Sequence, residues 1–496
     1  MKFRIVLALF FLSSLSWAQS GRINGFITDE ETGEVLMGAN VFLLETGQGM
    51  ATDRNGYYVL DGISTGVFTV VVSYLGYNEY RGKFTFEQED VFNHNVALVP
   101  RVLEIEEVVV EGEKIQRKVN IQPGKVNLNP RQIKSYPALA EPDIFRAIQA
   151  LPGVLTSSEF STGLIIRGGN TDQNLILLDG ITVYNPSHLG GVFSNFIVDA
   201  VKEAELIKGG YNAEYGGRLS AVLNVTSREG NRKKFDGSVN VSLLSAQTTL
   251  EGPFYKGAWL LAARRTYIDK TLELANDLNL TDTKVPYYFY DIQGHIFSDL
   301  SNTDRLSLSF YGGLDDFNFD DLGFRANWGN QTFSLAYRKL FSDLLIGNFL
   351  LAASQFKTLF GLGGESGFVN DNNINDQTLA ADFTFFQKKD LVWKFGFQAK
   401  RLGFLYSSSF GDTTLYDFNR SPYDIAAYLK TKIPLGEKII LEPGFRLNSY
   451  SEGNLRLFPD FRLGIKYLLT DDRYINFAVG NYHQFIQTVQ DDYNPT

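Results

Sequence analysis

From Phe235 onward one constraint recurs: apolar and polar side chains alternate with period two. Phe235, Val239, Val241 and Leu243 fall on one face, with Asp236, Ser238, Asn240 and Ser242 on the other. Leu391, Trp393, Phe395 and Phe397 alternate with Lys394 and Gln398. Leu457, Phe461, Leu463, Ile465 and Tyr467 alternate with Arg456, Asp460, Arg462 and Lys466. Extended strands send successive side chains to opposite faces, so this half of the chain predicts a sheet with one apolar and one polar side. About a dozen such segments follow one another. They are joined alternately by short turns such as Ser301-Asn302 and by longer polar stretches such as Gly361 to Gln377. Short turns on one side and long loops on the other mark an outer-membrane barrel, whose strands must pair all round because lipid offers an open edge no hydrogen bonds. Aromatic residues reach 14%, with 40 Phe and 25 Tyr. They gather near segment ends, as at Tyr287-Tyr288 and Phe385-Phe386, where interfacial girdles are expected. A soluble many-stranded protein would alternate as well, but its solvent face needs no apolar band.

Upstream, Leu164 to Pro186 holds the densest local pattern. Leu164-Ile165-Ile166 and Leu175-Ile176-Leu177-Leu178 are bounded by Gly168-Gly169-Asn170 and Asp179-Gly180, which predicts strand, turn, strand and tight turn. The second run does not alternate, as expected of a strand covered on both faces. Ile166-Arg167-Gly168-Gly169, Leu177-Leu178-Asp179-Gly180, Lys208-Gly209-Gly210 with Glu214-Tyr215-Gly216-Gly217, and Val222-Leu223-Asn224-Val225 together resemble the plug domain of TonB-dependent outer-membrane transporters. Around them, Pro142 to Leu151 predicts a short helix, with Ile144, Phe145 and Ile148 at helical spacing and Pro152-Gly153 closing it. Val198 to Ile207 predicts a second amphipathic turn or helix.

Before the plug, Gly21 to about Arg101 carries short β-type runs: Ile23 to Thr28, Ala39 to Leu44, Tyr57 to Leu60, Phe68 to Tyr74 and Phe84 to Phe86. Thr32-Gly33, Arg54-Asn55-Gly56 and Asp61-Gly62 punctuate them, which predicts a small sandwich. The stretches TGEVLMGANVFL, TDRNGYYVL and SYLGY resemble the carboxypeptidase regulatory-like domain, a transthyretin-like sandwich, here expected to be a periplasmic adaptor. Ile105-Glu106-Glu107-Val108-Val109-Val110-Glu111 then joins β-branched residues to acidic ones. Such a segment can add to the edge of a partner's sheet. It is similar to the TonB box, and it equally fits a last strand of the sandwich. At the start of the chain, Lys2 and Arg4, the apolar run Ile5 to Leu12 and Ser16-Trp17-Ala18 read as a signal peptide cleaved after Ala18.

The chain excludes several chemistries. It has no cysteine, hence no disulfide or thiolate site, and its four histidines, His94, His188, His295 and His483, lack metal-ligand spacing. No Walker A, G-x-S-x-G or H-E-x-x-H string occurs, so no catalytic residue, metal or cofactor is expected. With 46 Lys+Arg against 56 Asp+Glu, the balance is wrong for a nucleic-acid partner.

The expected organisation is mainly β: signal peptide 1–18, sandwich 20–101, TonB-box-like linker 102–115, α+β plug 116–231 and barrel strands 232–496. A plug of this size needs a lumen of roughly 22 strands, and only about 12 are visible, so the chain reads as a C-terminally truncated part of a longer transporter. The resemblance implies a TonB-dependent active transporter or receptor of the outer membrane, gripped at Ile105, Glu106, Glu107, Val108, Val109 and Val110 by a TonB-type energy-transducing protein. It also implies an imported siderophore, cobalamin, oligosaccharide or peptide, and a surface lipoprotein as a further partner. It assigns Arg167, Gly168, Gly169, Asp179, Gly180, Gly209, Gly210, Gly216 and Gly217 to the plug motif. Arg167 is expected in a buried charge pair, either to hold the fold or to gate, with Gly168 and Gly169 making the turn. A passive outer-membrane channel or a surface adhesin would need no box, and a secreted peptidase accessory would leave the strands out of lipid.

Overall fold

The computed structural model describes residues 20–101, 121–122, 124–137, 141–156, 163–280, 285–319, 323–387, 391–436, 438–454, 456–470 and 473–486. The segments read as signal peptide, 1–18, and linker, 102–115, lie outside the described residues. Two compact units divide the chain.

The first is the sandwich. One sheet places Tyr57–Ile63, Gly21–Asp29 and Val91–Asn93 side by side, with Val96–Leu98 also on Gly21–Asp29; the other runs Gly49–Ala51, Asn40–Leu43, Gly66–Ser73 and Tyr80–Phe86. Ile23, Ile27, Val41, Leu43, Tyr58, Leu60, Val70, Val72 and Phe86 form the buried seam between them. All five predicted runs are strands.

The second unit holds plug and wall. The plug sheet has the order Ile181–Thr182, Leu175–Leu178, Val222–Ser227, Val201–Ile207 and Lys125–Leu128. Leu175–Leu178 runs parallel to Val222–Ser227, and Leu177, Leu178, Leu223 and Val225 are buried. The predicted helix is Ile144–Gln149, started by Asp143, whose carboxylate accepts from the N–H groups of Phe145 (2.8 Å) and Arg146 (3.1 Å). The amphipathic turn or helix predicted over Val198 to Ile207 is a 3-10 turn only at Val198–Ala200, and the rest is the strand Val201–Ile207. Its valine and isoleucine ends suit a strand, and pairing on both flanks outweighs the helical spacing of its apolar residues.

Among the described residues fourteen antiparallel strands form the wall, thirteen of them neighbours in chain order from Asp236–Val241 to Tyr474–Gly480. The other, Thr413–Arg420, pairs with the upper half of Leu391–Phe410, while Tyr423–Leu435 pairs with the lower half. The expected long loop from Gly361 to Gln377 is mostly strand: Leu345–Leu362 and Phe368–Gln387 stay in register up to Leu362↔Phe368. Spanning lipid takes about 10 residues of tilted strand, so strands of 18 and 20 residues rise well past the bilayer. The outward face records the boundary: Phe349, Leu351 and Ala353 give way to Gln355 and Lys357, and Gln355 donates to Asn375 (2.9 Å) and Asn373 (3.2 Å). Phe395, Phe397, Phe461 and Tyr467 point outward and are exposed, whereas Arg462 and Lys466 point inward and are buried, as the alternation predicts. On the outward face Phe341, Phe349, Phe383 and Phe395 cluster near the short turns, whereas near the loops Phe317, Phe319, Phe324 and Phe360 cluster on the inward side, Phe317 directly opposite Tyr287. Tyr287 and Phe386 are not part of a girdle: consecutive strand residues face opposite ways, and these two face inward at 4% exposure.

Candidate functional site: the plug–wall interface

The inner face of the wall is polar because it must meet a polar body. Arg264, Asp291, Asp315, Asp376, Lys400, Lys430, Arg446 and Arg462 all sit on inward positions, and each meets the plug or a residue that does.

The most enclosed contact is centred on His188, in the plug hairpin Ser187–His188 with Phe193–Ser194. Its Nδ1 lies 2.6 Å from Asp315 Oδ2 and its Nε2 lies 2.9 Å from Asp291 Oδ1, and its ring stacks on Phe289 at 4.1 Å. A neutral imidazole has one N–H, so two carboxylates on its two nitrogens select the doubly protonated cation. Burial alone would lower its pKa, but the Asp291 and Asp315 carboxylates overcome that and raise it to about 9. Arg264 completes the node: it contacts Asp291 at 2.6 Å, donates to plug Glu141 at 2.6 Å and donates to the Ser194 carbonyl at 2.7 Å. Tyr311 donates to Asp291 (2.7 Å), and Tyr287 (2.5 Å) and the Leu189 N–H (2.9 Å) donate to Asp315. Three carboxylates thus face two cations in a region where His188, Asp291 and Asp315 are each 1% exposed. Arrangements of this kind hold only while every partner is present.

A second grip takes the segment Tyr211 to Gly217. Arg462 donates from Nη1 to the carbonyls of Tyr215 (2.6 Å) and Asn212 (2.7 Å), and Arg446 reaches those of Ala213 and Glu214 (both 3.3 Å). Lys430 binds the Glu214 carboxylate at 2.7 Å. Burial opposes ionisation of Glu214, but Lys430 and Lys394 hold its carboxyl well below the usual range. Elsewhere Lys400 joins Asp376 (2.8 Å) to Thr182 (2.7 Å), and Arg305 binds Glu229 (2.8 Å).

The sequence-predicted residues divide by role. Gly216 lies against the wall, where a Cβ would stand 2.3 Å from Arg446 Nε, and Gly217 adopts φ +78°. Asp179, at φ 52°, ties its turn with Gly180 to the neighbouring strand by accepting from the Ser227 N–H (2.8 Å) and hydroxyl (2.6 Å). Gly168, Gly209 and Gly210 have positive φ, and at Gly169 a Cβ would meet Ser220 Oγ at 2.5 Å. Arg167 is exposed, with φ 50° and no ion pair among the described residues. Among the described residues the expected buried charge pair does not form: Ile166 takes the inward position and the Arg167 side chain is exposed. Ile105, Glu106, Glu107, Val108, Val109 and Val110 lie outside the described residues. His188, Glu141 and Arg264 escaped the sequence reading; their only signal is a charged or imidazole group beside apolar neighbours, with partners 103 to 127 residues away.

Comparison with known proteins fits this arrangement. Residues 23–110 match the family described as CarboxypepD_reg-like domain, and residues 127–222 match the TonB-dependent Receptor Plug Domain. The first match runs through Val110 and so takes in Ile105–Val110. The chain is 26% identical over 259 residues to the TonB-dependent transporter Oar of Myxococcus xanthus, covering 50% of this chain and 24% of that protein. It is 26% identical over 347 residues to the TonB-dependent receptor SusC of Bacteroides thetaiotaomicron, covering 66% of this chain and 32% of that protein. Among solved structures, the ferric enterobactin receptor of Pseudomonas aeruginosa superposes with a TM-score of 0.57 at 15% identity, over 76% of this chain and 64% of that one. The siderophore receptor PirA of the same organism gives 0.54 at 16%, over 72% and 61%. At these identities the structures speak for the fold alone, and the chain spans only about a fifth to a third of the length of the curated relatives it matches.

Proposed function

Because the chain belongs to the TonB-dependent outer-membrane receptors and transporters, a family of transport proteins rather than enzymes, we propose that it imports a scarce ligand by energised displacement of its plug. The observation that carries this reading is the plug–wall interface. A stopper held by the His188 node and by the Arg446 and Arg462 grips does not leave its seat by thermal motion at a useful rate, because opening exposes several paired charges at once. External work is required, and the chain offers a handle for it. Ile105 to Val110, on the periplasmic side and upstream of the plug's edge strand Lys125–Leu128, is suited to pairing with the sheet of a TonB-type protein. Ligand would enter from the side of the long loops; siderophore complexes, cobalamin, oligosaccharides and peptides remain the candidate cargoes, and a surface lipoprotein the candidate co-receptor.

The test is deletion of Ile105 to Val110 in the complete protein. Ligand-dependent growth should fail while the amount of protein in the outer membrane stays constant. Unchanged uptake would instead support a passive channel or adhesin with a fixed plug.

A further inference from the structure

Lys125–Leu128 is the edge strand of the plug sheet, paired only with Val201–Ile207 among the described residues. Its main-chain register is short, Lys125↔Ile207 to Leu128↔Ala204, so side chains contribute much of what holds it. One is plain: Lys125 Nζ binds Glu205 at 2.6 Å. The other pair is incomplete. Glu203 is 5% exposed and lies diagonal to Asn127 across the two strands, Asn127 standing opposite Glu205 in the register. Yet Glu203 Oε1 and Asn127 Oδ1 are both buried with no hydrogen-bond donor.

The shortage follows from chemistry. A carboxylate only accepts, so against one amide it can receive the N–H and must leave the amide oxygen empty. A carboxylic acid also donates: its O–H can close a second bond to Asn127 Oδ1, giving the two-bond ring of an acid–amide pair. One proton would therefore supply both unsatisfied oxygens.

We propose that Glu203 is a proton-operated clasp on the plug's edge strand: as the acid it closes a two-bond ring with Asn127, and as the carboxylate it leaves the strand to its main-chain bonds and the Lys125–Glu205 bridge. The charged groups around it are Glu205 and Lys202 on its own strand, Lys125 on the edge strand, and Arg131 and Lys134 of the helix Pro130–Ser135 packed on its strand, Lys134 being held by Asp199; from the flanking strand Val222–Ser227, Thr226 stands opposite and brings no charge. Burial, followed by the Glu205 carboxylate, raises its pKa to about 7, against the lowering effects of Lys125, Lys202 and Asn127. The sign is consistent: a carboxyl whose pKa rises on folding weakens the folded state as the pH climbs from the ordinary carboxylate range toward 7. The clasp thus tightens in acid and loosens in base. Its physiological meaning, a grip on the first plug strand that a pull through the linker would load, rests on the transport reading; the clasp itself does not.

The experiment is hydrogen–deuterium exchange of the intact protein in detergent at pH 6 and pH 8, corrected for the intrinsic pH dependence of exchange. Protection of Lys125–Leu128 should fall at least tenfold between the two, with Val222–Ser227 unchanged as the internal control. Glu203→Gln, which keeps a donor toward Asn127 at every pH, should hold the acid level of protection at both, and Asn127→Ala should show the low level at both. Flat protection in the wild type, or the wild-type pH response in Glu203→Gln, overturns the clasp. If Glu203→Gln fails to fold, the contrast between wild type and Asn127→Ala decides alone. No uptake is read, so failure here is separate from failure of the transport reading.

Discussion

Replacing His188 with alanine tests whether ionic pairing seats the plug. The imidazolium stands between Asp291 and Asp315, each 1% exposed, and the substitution strips a partner from both. Removing one member of a buried ion pair costs about 3–5 kcal/mol, because the charge left behind has neither water nor partner. Here Asp291 keeps Arg264 and Tyr311, and Asp315 keeps Tyr287 and the Leu189 N–H, which favours the lower part of that range. Loss of stacking on Phe289 adds about 1 kcal/mol. Proton linkage gives a second route: an imidazole whose pKa rises from 6.5 to about 9 on seating contributes about 3 kcal/mol. The two routes give about 3–4 kcal/mol, or roughly several hundredfold in the seated-to-open ratio. The chain has no cysteine, so Ser194→Cys, buried beside Arg264, is a clean reporter of opening by thiol labelling. His188→Ala should speed labelling roughly several hundredfold where opening precedes reaction, and adding Asp315→Asn should recover part of it by removing a stranded charge. Because the folded pKa is the raised one, the contribution is complete below pH 6.5 and fades as the pH passes 9, so wild-type labelling, divided by the labelling rate of a free thiol at the same pH, should rise in that interval and the variant's should not. Acceleration below tenfold would refute the account of the node.

Other perturbations probe separate contacts. Arg462→Ala should lower the plug's unfolding transition in calorimetry by about 3 kcal/mol, and Arg462→Lys should not restore it, since a point ammonium cannot serve the carbonyls the guanidinium reaches. Gly216→Ala drives a Cβ into Arg446 and should cost about 1–3 kcal/mol on the same scale. Asp143→Ala removes the acceptor for the helix N-terminus and for the Ser194 N–H, at about 2 kcal/mol. Leu351→Arg, on the outward face, should cost about 2–4 kcal/mol in a lipid folding titration if it lies near the bilayer midplane.

The wall was legible in the sequence because one side of it meets lipid and the other meets protein: Leu463, Ile465 and Tyr467 alternate with Arg462 and Lys466 without exception. The plug turns were legible because Gly168, Gly180 and Gly209 need backbone angles that other residues resist. Val198 to Ile207 misled because its apolar residues also fit a helical stripe, and only the neighbours on both flanks decide for a strand. The interface was illegible for a different reason. His188 reads as a lone histidine, and Arg264 and Asp291 as single inward polar positions; nothing local tells which inward charge meets which plug residue once the wall wraps round. Arg167 was the reverse, a prominent motif residue whose side chain is exposed.

The account depends most on which face of the wall meets hydrocarbon. Nitroxide labels placed singly at Phe397, Gln398, Ile425, Phe461 and Gln355 of the lipid-reconstituted protein would measure this through collision with oxygen and with a water-soluble nickel chelate. Phe397, Ile425 and Phe461 should favour oxygen, Gln355 should favour nickel because it stands above the band, and inward Gln398 should favour neither as strongly. Nickel access at Phe397, Ile425 and Phe461 equal to that at Gln355 would contradict it.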